Sequence, residues 1–483
     1  MFSNADLHNE FRKQLTTLVE QDIGIIGLGV MGHSIALNFQ NHHYSVAVYN
    51  RTEQKTREFV QNHPEIQGTY SINNFLNTLS KPRKILLMMT AGPAIDDTIT
   101  SLIGSLSPGD ILMDGGNSYF QDTERRSVQV EREGIHFLGI GVSGGEEGAL
   151  KGPCLMAGGS REGFDQVHAM LSNIAAQADG TCCQFLGSGG AGHYVKMIHN
   201  GIEYAIIQII AEAYDLLTRG AGLTTQQVHA IFKNWSAVKM NSFLMEIATE
   251  VLSTKDQDTK LPLVSLILDR AQQKGTGKWT SQNAMDLGIP TPTIDASVTA
   301  RNMSALKDER VFASTRLKGP NPENAIKPTE RFVEALGDAA QASIIISYAQ
   351  GFHLMRAASE EYQYNIPFAE VARIWKGGCI IRAKLLDPIK HAYNSNPSLQ
   401  NLLLDPEITS AISGLDSNWR EVVVQAKEAG IPISAIDASL DYYDSYRSEH
   451  LPANMIQGLR DRFGSHGYER TDKPGHYHTN WSS

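Results

Sequence analysis

Lys196, His199, Asn200 and Glu203 fall at i, i+3, i+4 and i+7 of the run KMIHNGIEY, the spacing that puts four side chains on one face of an α-helix. One stripe then carries an amine, an imidazole, an amide and a carboxylate. Along such a helix Lys196 and Glu203 stand roughly 10 Å apart, a spacing at which two proton-transfer groups could bracket a substrate several carbons long. A polar stripe is commonly just the wet face of a helix. The approach to this one, GSGGAGHYVK from Gly187 to Lys196, argues for more. Four glycines ahead of a helix bring backbone close to something and leave free N–H groups at the helix start. Ile198, Ile202 and Ala205 lie off the stripe, where they can pack the helix down.

The elements that would position such a helix begin at Asp22. A short apolar strand to Ile26 leads into GLGVMG, with Gly27, Gly29 and Gly32 in the Gly-x-Gly-x-x-Gly places and Val30 and Met31 between the last two. The first glycine permits the tight turn, the second lets a pyrophosphate approach, and the third allows close helix packing. A helical stretch and an alternating strand, YSVAVYN, follow, which is the context that gives a glycine pattern its meaning. That second strand ends in Asn50, Arg51 and Thr52 where an NAD site would carry an acidic residue. A guanidinium and a hydroxyl suit a 2′-phosphate, so the cofactor expected is NADP. Three later strand ends carry polar or glycine-rich loops: Met89, Thr90 and Ala91; then Asn117; then Ser143, Gly144 and Gly145. In open α/β sheets such loops face one cleft.

The strand-like runs largely stop after Gly192. Tyr194 to Arg219 reads as one long helix, and amphipathic segments continue to about Arg447. The expected architecture is an extension over residues 1–21, a Rossmann-like NADP-binding domain over 22–191, an all-α domain over 192–447 and a tail over 448–483. QKGTGKWT is a glycine-punctuated basic loop in which Lys274 could meet an anion, as could Arg301 beyond it. WKGGCIIR, Trp375 to Arg382, reads as apolar and structural. The tail holds Arg460, His466 and Trp481 in a segment with too thin a core to fold alone, and its aromatics favour docking on another surface.

A chain of 483 residues calls for two or three domains. A net charge of −10 opposes general binding to nucleic acid or an anionic membrane. No apolar run reaches the roughly 18 residues of a membrane span. Cys154, Cys182, Cys183 and Cys379 have neither metal-ligand spacing nor the look of a disulfide framework. No metal site is expected, and a reduced, cytoplasmic setting fits. The first twenty residues lack a signal core and look like an amphipathic extension.

From about Ile23 to Trp481 the chain resembles the decarboxylating 6-phosphogluconate dehydrogenase family, through GLGVMG, YNRT, DGGNS, VSGGEEGAL, GAGHYVKMIHNGIEY, QKGTGKWT, RDRFGSHGYE and HTNW. The resemblance implies oxidation of the C3 hydroxyl of 6-phosphogluconate with NADP, then loss of CO2 to leave ribulose 5-phosphate. It implies that Lys196 is general base in hydride transfer and general acid in decarboxylation, and that Glu203 protonates C1 of the enediol. Ser143, Gly144, Gly145, His199 and Asn200 would hold the carboxylate and hydroxyl end, and Tyr204, Lys274 and Arg301 the phosphate. Asn117 would lie between nicotinamide and substrate. Arg460 and His466 would complete the pocket from the partner subunit of a homodimer whose tails exchange. Gly29 stands where many members have Ala, and Thr90 where a Lys is common. The nearest alternatives are a non-decarboxylating β-hydroxyacid dehydrogenase and a catalytically silent NADP-binding protein. The intact Lys196 and Glu203 pair argues against the second. Glu203, Lys274, Arg301 and Arg460 together argue against the first.

Overall fold

The computed structural model describes residues 20–271 and 275–481. The amphipathic reading of the N-terminal extension and the site assignment of Lys274 therefore lie outside the described residues. The first half is an eight-stranded sheet: β1 (Ile23–Ile26), β2 (Val46–Tyr49), β3 (Gln67–Thr69), β4 (Lys84–Leu87), β5 (Ile111–Asp114), β6 (His136–Ser143), β7 (Cys154–Gly159) and β8 (Cys183–Phe185). Their spatial order is β3-β2-β1-β4-β5-β6-β7-β8, and every neighbouring pair is parallel except β6 with β7. The winding reverses between β1 and β4, and a crevice opens beyond the strand ends at such a switch point.

Because helices cover both faces of a parallel sheet, its strands are apolar throughout rather than alternating. Ile23 and Ile25 of β1 enter the core on one face with Phe39 and Met113, while Ile26 joins Phe75 and Leu112 on the other. The sheet gives way to helix Ala191–Asp215, which continues as a π-helical turn over Leu216–Gly220. This is the long helix expected from Tyr194 to Arg219. It packs against β6 and β7 on one side and against helices Glu330–Glu361, Thr276–Asp286 and Pro292–Ala305 on the others. Ile198, Ile202 and Ala205 are fully buried, as expected of the residues that anchor it.

The tail has local structure of its own. It forms helix Ala453–Gly464 and a two-stranded ribbon of β9 (Tyr468–Glu469) and β10 (His476–Tyr477). Its centre is polar. Asp461 is fully enclosed and accepts hydrogen bonds from the backbone N–H groups of Gly467 and Thr479, the His478 ring and the Trp481 indole. Burial works against the charge on Asp461, but these four donors hold its carboxyl well below the usual range. A carboxylate with its acceptor capacity filled can organise a segment whose apolar core is thin. Its apolar residues point outward instead: Met455, Ile456, Leu459 and Phe463 are each more than half exposed.

Among the described residues no helix is long and apolar enough to cross a membrane.

Candidate active site

The glycine turn sits at the carboxyl end of β1 for steric reasons that can be read residue by residue. Gly27 has φ 104°, and a Cβ there would lie 2.4 Å from the Met88 carbonyl oxygen. A Cβ on Gly32 would lie 2.0 Å from the Gly27 carbonyl oxygen, so the helix Val30–Asn41 starts flush against the turn. Gly29 is different: a Cβ there would meet nothing within 4 Å, so an Ala would fit the same backbone. That helix has no side-chain cap and no acidic residue in its first turn, and Val30 is 60% exposed at its mouth. Uncapped N–H groups at a helix start facing open space are what a pyrophosphate requires, so the residues present fit a dinucleotide.

Asn50, expected to touch the cofactor, is engaged by the protein. Its Oδ1 accepts from the Leu28 N–H at 3.0 Å, and its Nδ2 donates to the Thr52 carbonyl at 3.2 Å. It ties the end of β2 to the glycine turn and leaves Arg51 exposed beside it. A further residue, Arg126, braces the next two loops. It is completely buried and bonds both oxygens of Asp96, at 2.9 and 3.0 Å, with the Gly92 carbonyl at 3.1 Å. It also reaches Ser118 Oγ at 3.1 Å and Asp114 at 3.4 Å. One guanidinium thus links the loop of Met89, Thr90 and Ala91 to the loop of Asn117, whose side chain is exposed in the crevice. In sequence Arg126 looks like any charge on a solvated helix. Only the pairing of β4 with β5 brings its partners together.

The glycine-rich entrance to the site helix meets protein rather than ligand. A Cβ on Gly192 would lie 2.3 Å from the Gly139 carbonyl oxygen, and the Gly190 N–H donates to Glu124 at 2.8 Å. Glu124 also accepts from the Tyr364 hydroxyl at 2.7 Å. The close approach lets the helix cross β6 where Gly141 leaves room for the Lys196 stem.

The helix face carrying Lys196, His199 and Asn200 is not a wet face: all three are buried, and Glu203 is partly so. Lys196 Nζ donates to Asn200 Oδ1 at 2.7 Å and lies 3.4 Å from His199 Nδ1. Asn200 Nδ2 donates to Thr276 Oγ1 at 3.1 Å, which fixes the amide orientation. His199 Nδ1 lies 3.8 Å from Glu203 Oε2, and its Nε2 lies 3.2 Å from Ser143 Oγ. The segment read as structural also enters: Cys379 Sγ lies 2.7 Å from His199 Nε2. Gly144 packs beside it, where a Cβ would lie 2.8 Å from the Gly378 carbonyl oxygen, while Gly145 faces open space. One turn further on, Arg301 stacks over the Tyr204 ring at 3.5 Å from its centroid.

Burial moves the pKa values of Lys196 and Glu203 towards each other. It pushes the Lys196 amine below the ordinary lysine range, with Glu203 opposing. It pushes the Glu203 carboxyl up, with Lys196 and Arg301 opposing. His199 is held well below its ordinary value by burial and by Lys196. Arg460 and His466 stay within the tail: Arg460 donates to Gln457 at 3.1 Å, and His466 packs on Phe463. Among the described residues, no three His, Cys, Asp or Glu side chains are grouped as metal ligands would be.

A dinucleotide turn at a sheet switch point, with a downshifted amine on the helix that crosses the same sheet, makes this chain a nicotinamide-dependent dehydrogenase by class. The family profile described as the NAD binding domain of 6-phosphogluconate dehydrogenase matches residues 22–187, and the one described as its C-terminal domain matches residues 192–481. The chain belongs to the 6-phosphogluconate dehydrogenase family. It is 50% identical to the NADP(+)-dependent, decarboxylating 6-phosphogluconate dehydrogenase of Bacillus subtilis, across 96% of this chain and 99% of that one. It is 48% identical to the decarboxylating enzyme of Synechocystis, across 96% and 98%. Among solved structures, 6-phosphogluconate dehydrogenase of Plasmodium falciparum, known with NADP+ and with 6-phosphogluconate, superposes with a TM-score of 0.91 at 41% identity, over 95% of this chain and 100% of that one.

Proposed function

We propose that this chain oxidises 6-phosphogluconate with NADP and releases CO2 to give ribulose 5-phosphate. The observation that carries the reading is one buried helix face on which burial lowers the pKa of an amine and raises that of a carboxyl. The direct test follows absorbance of the reduced nicotinamide while released CO2 is trapped. Reduction of NADP matched by CO2 supports the reading, reduction without CO2 indicates a simpler hydroxyacid dehydrogenase, and no reduction indicates a binding protein.

When bound, NADP would supply the hydride acceptor for C3. The glycine turn, Val30, Met31, Arg51, Thr52 and the loops of Met89, Thr90, Ala91 and Asn117 would hold it. Neutral Lys196 takes the proton of the C3 hydroxyl as the carbon is oxidised. The resulting ammonium then faces the keto oxygen, where it stabilises the charge that develops as the bond to the carboxylate breaks. Asn200, already bonded to Lys196, fixes that amine in place. Glu203 delivers the proton that converts the enediol to product. Ser143, Gly144, Gly145 and His199 hold the carboxylate and hydroxyl end, while Arg301, Tyr204 and Lys274 hold the phosphate. The four cysteines are buried free thiols, consistent with a reducing cytoplasm.

Arg51 is the proposed selector for the 2′-phosphate. Replacing it with Glu removes a charge-assisted contact, so the KM for NADP should rise about 10–100-fold. The KM for NAD should fall or stay level, and steady-state kinetics with both cofactors reads this directly. Equal losses with both cofactors would remove Arg51 from cofactor selection.

The tail is proposed to reach a second copy of the chain, with its face of Met455, Ile456, Leu459 and Phe463 covered there and Arg460 and His466 delivered to the partner's phosphate end. Arg460→Ala and Lys196→Met should then complement each other. In a refolded mixture, half the dimers are mixed, and one of the two sites in each mixed dimer has both residues. Activity should return to about a quarter of the parent's. A mixture no more active than its components would show that each tail serves its own subunit.

A further inference from the structure

Cys379 is a side chain of this site to which the proposed reaction gives no role. It lies in Trp375–Arg382, 180 residues beyond His199, and its segment is pinned to the sheet where the Cys154 N–H donates to the Gly378 carbonyl at 2.8 Å. Its sulfur is fully buried beside His199 Nε2. Burial pushes the thiol up to about 12, so at neutral pH the sulfur carries its proton and acts as a donor. The buried imidazole is neutral, with one donor and one acceptor nitrogen, and which is which is set by its neighbours.

We propose that Cys379 is a positioning residue whose S–H donates to His199 Nε2 and holds the ring in the tautomer with its proton on Nδ1. The effect reaches Lys196. Asn200 Oδ1 lies 3.0 Å from Nδ1 and 2.7 Å from Lys196 Nζ, and its two lone pairs accept from both. With the proton on Nδ1, the ring cannot also accept from the amine 3.4 Å away. The opposite tautomer would turn a lone pair on Lys196 and stabilise the ammonium. The other groups facing Lys196 are Glu203 on its own helix and the thiols of Cys379 and Cys154, with Arg301 facing Glu203 from helix Pro292–Ala305. Burial raises both thiols, leaving Glu203 as the charged group that favours the ammonium. Cys379 therefore supports the neutral amine by denying it an acceptor. This rests on Lys196 being the general base.

The test pairs NMR with kinetics on the full chain. In 15N-histidine-labelled protein, two-bond couplings of the resonance lost in His199→Asn should place the proton on Nδ1, and in Cys379→Ala they should place it on Nε2. In Cys379→Ala the ascending limb of the kcat/KM–pH profile should move to higher pH by about one unit, a loss of about tenfold below the limb and little above it. Cys379→Ser, which keeps a donor, should restore both readouts. Parent protein with the proton on Nε2 overturns the proposal, as does an unmoved limb in Cys379→Ala or a serine variant that behaves like alanine. If the parent shows no ascending limb, the Lys196 assignment fails, and the tautomer is still decided by NMR.

Discussion

Lys196→Met should lower kcat for NADP reduction and for CO2 release together, by about 10³–10⁴-fold, with NADP binding preserved. Both chemical steps are assigned to the same amine, so neither should survive without the other. Methionine matches the unbranched stem that passes Gly141, and Asn200 Oδ1 keeps the His199 ring as a partner at 3.0 Å. The fold should therefore be undisturbed. The pH dependence of stability gives an internal control. Lys196 is held below its ordinary pKa on folding, so the folded chain binds fewer protons than the unfolded one between the lowered and ordinary values. Parent stability rises with pH across that window. The variant lacks this contribution, and its melting temperature relative to the parent's should be highest on the acid side of the window. Thermal melts at a series of pH values from acid up to the ordinary lysine pKa of ~10.4 measure it. A variant retaining more than about a tenth of parental kcat would take Lys196 out of the chemistry.

Much of the site is legible in the sequence because its signals are local. The stripe from Lys196 to Glu203 follows from helical periodicity alone, and GLGVMG follows from a strand, a turn and a helix in immediate succession. Gly27 and Gly32 are required by contacts with Met88 and with each other, within the same unit or its neighbouring strand. What sequence reasoning misses depends on long-range placement. Cys379 looks structural because WKGGCIIR has no charge pattern at its centre, yet Gly378 brings its backbone against Cys154 and the thiol against His199. Arg126 follows Arg125 directly, and one is enclosed while the other is exposed. Thr276 orients Asn200 across 76 residues. The glycines before the site helix suggest an opening for a ligand, since a sequence cannot tell a β-strand backbone from a substrate as the object approached. The apolar content of the tail shows a thin core, and what the sequence does not show is the set of four hydrogen bonds to Asp461 that organises it.

The same separation of roles predicts a different defect in Glu203→Gln. With oxidation and decarboxylation both assigned to Lys196, the first turnover should proceed, and the enediol should then wait for a proton. Rapid mixing should show a burst of about one NADPH and one CO2 per subunit, followed by turnover slowed about 10²–10³-fold. In deuterated water the parent should place deuterium on one face of C1, whereas the variant, relying on solvent, should scramble it. The two effects of pH have opposite signs to those of Lys196. Burial raises the Glu203 pKa, so its acid form is lost as pH rises through the raised value, and the parent's kcat should show a descending limb that the variant lacks. The folded parent also binds more protons than the unfolded chain between the ordinary carboxyl pKa and the raised one, so its stability falls with rising pH in that window. Glutamine removes that loss, and the variant should be the more stable protein above it. Equal slowing of the burst and of steady turnover would place Glu203 in the hydride step instead, and would leave the enediol to be protonated by Lys196.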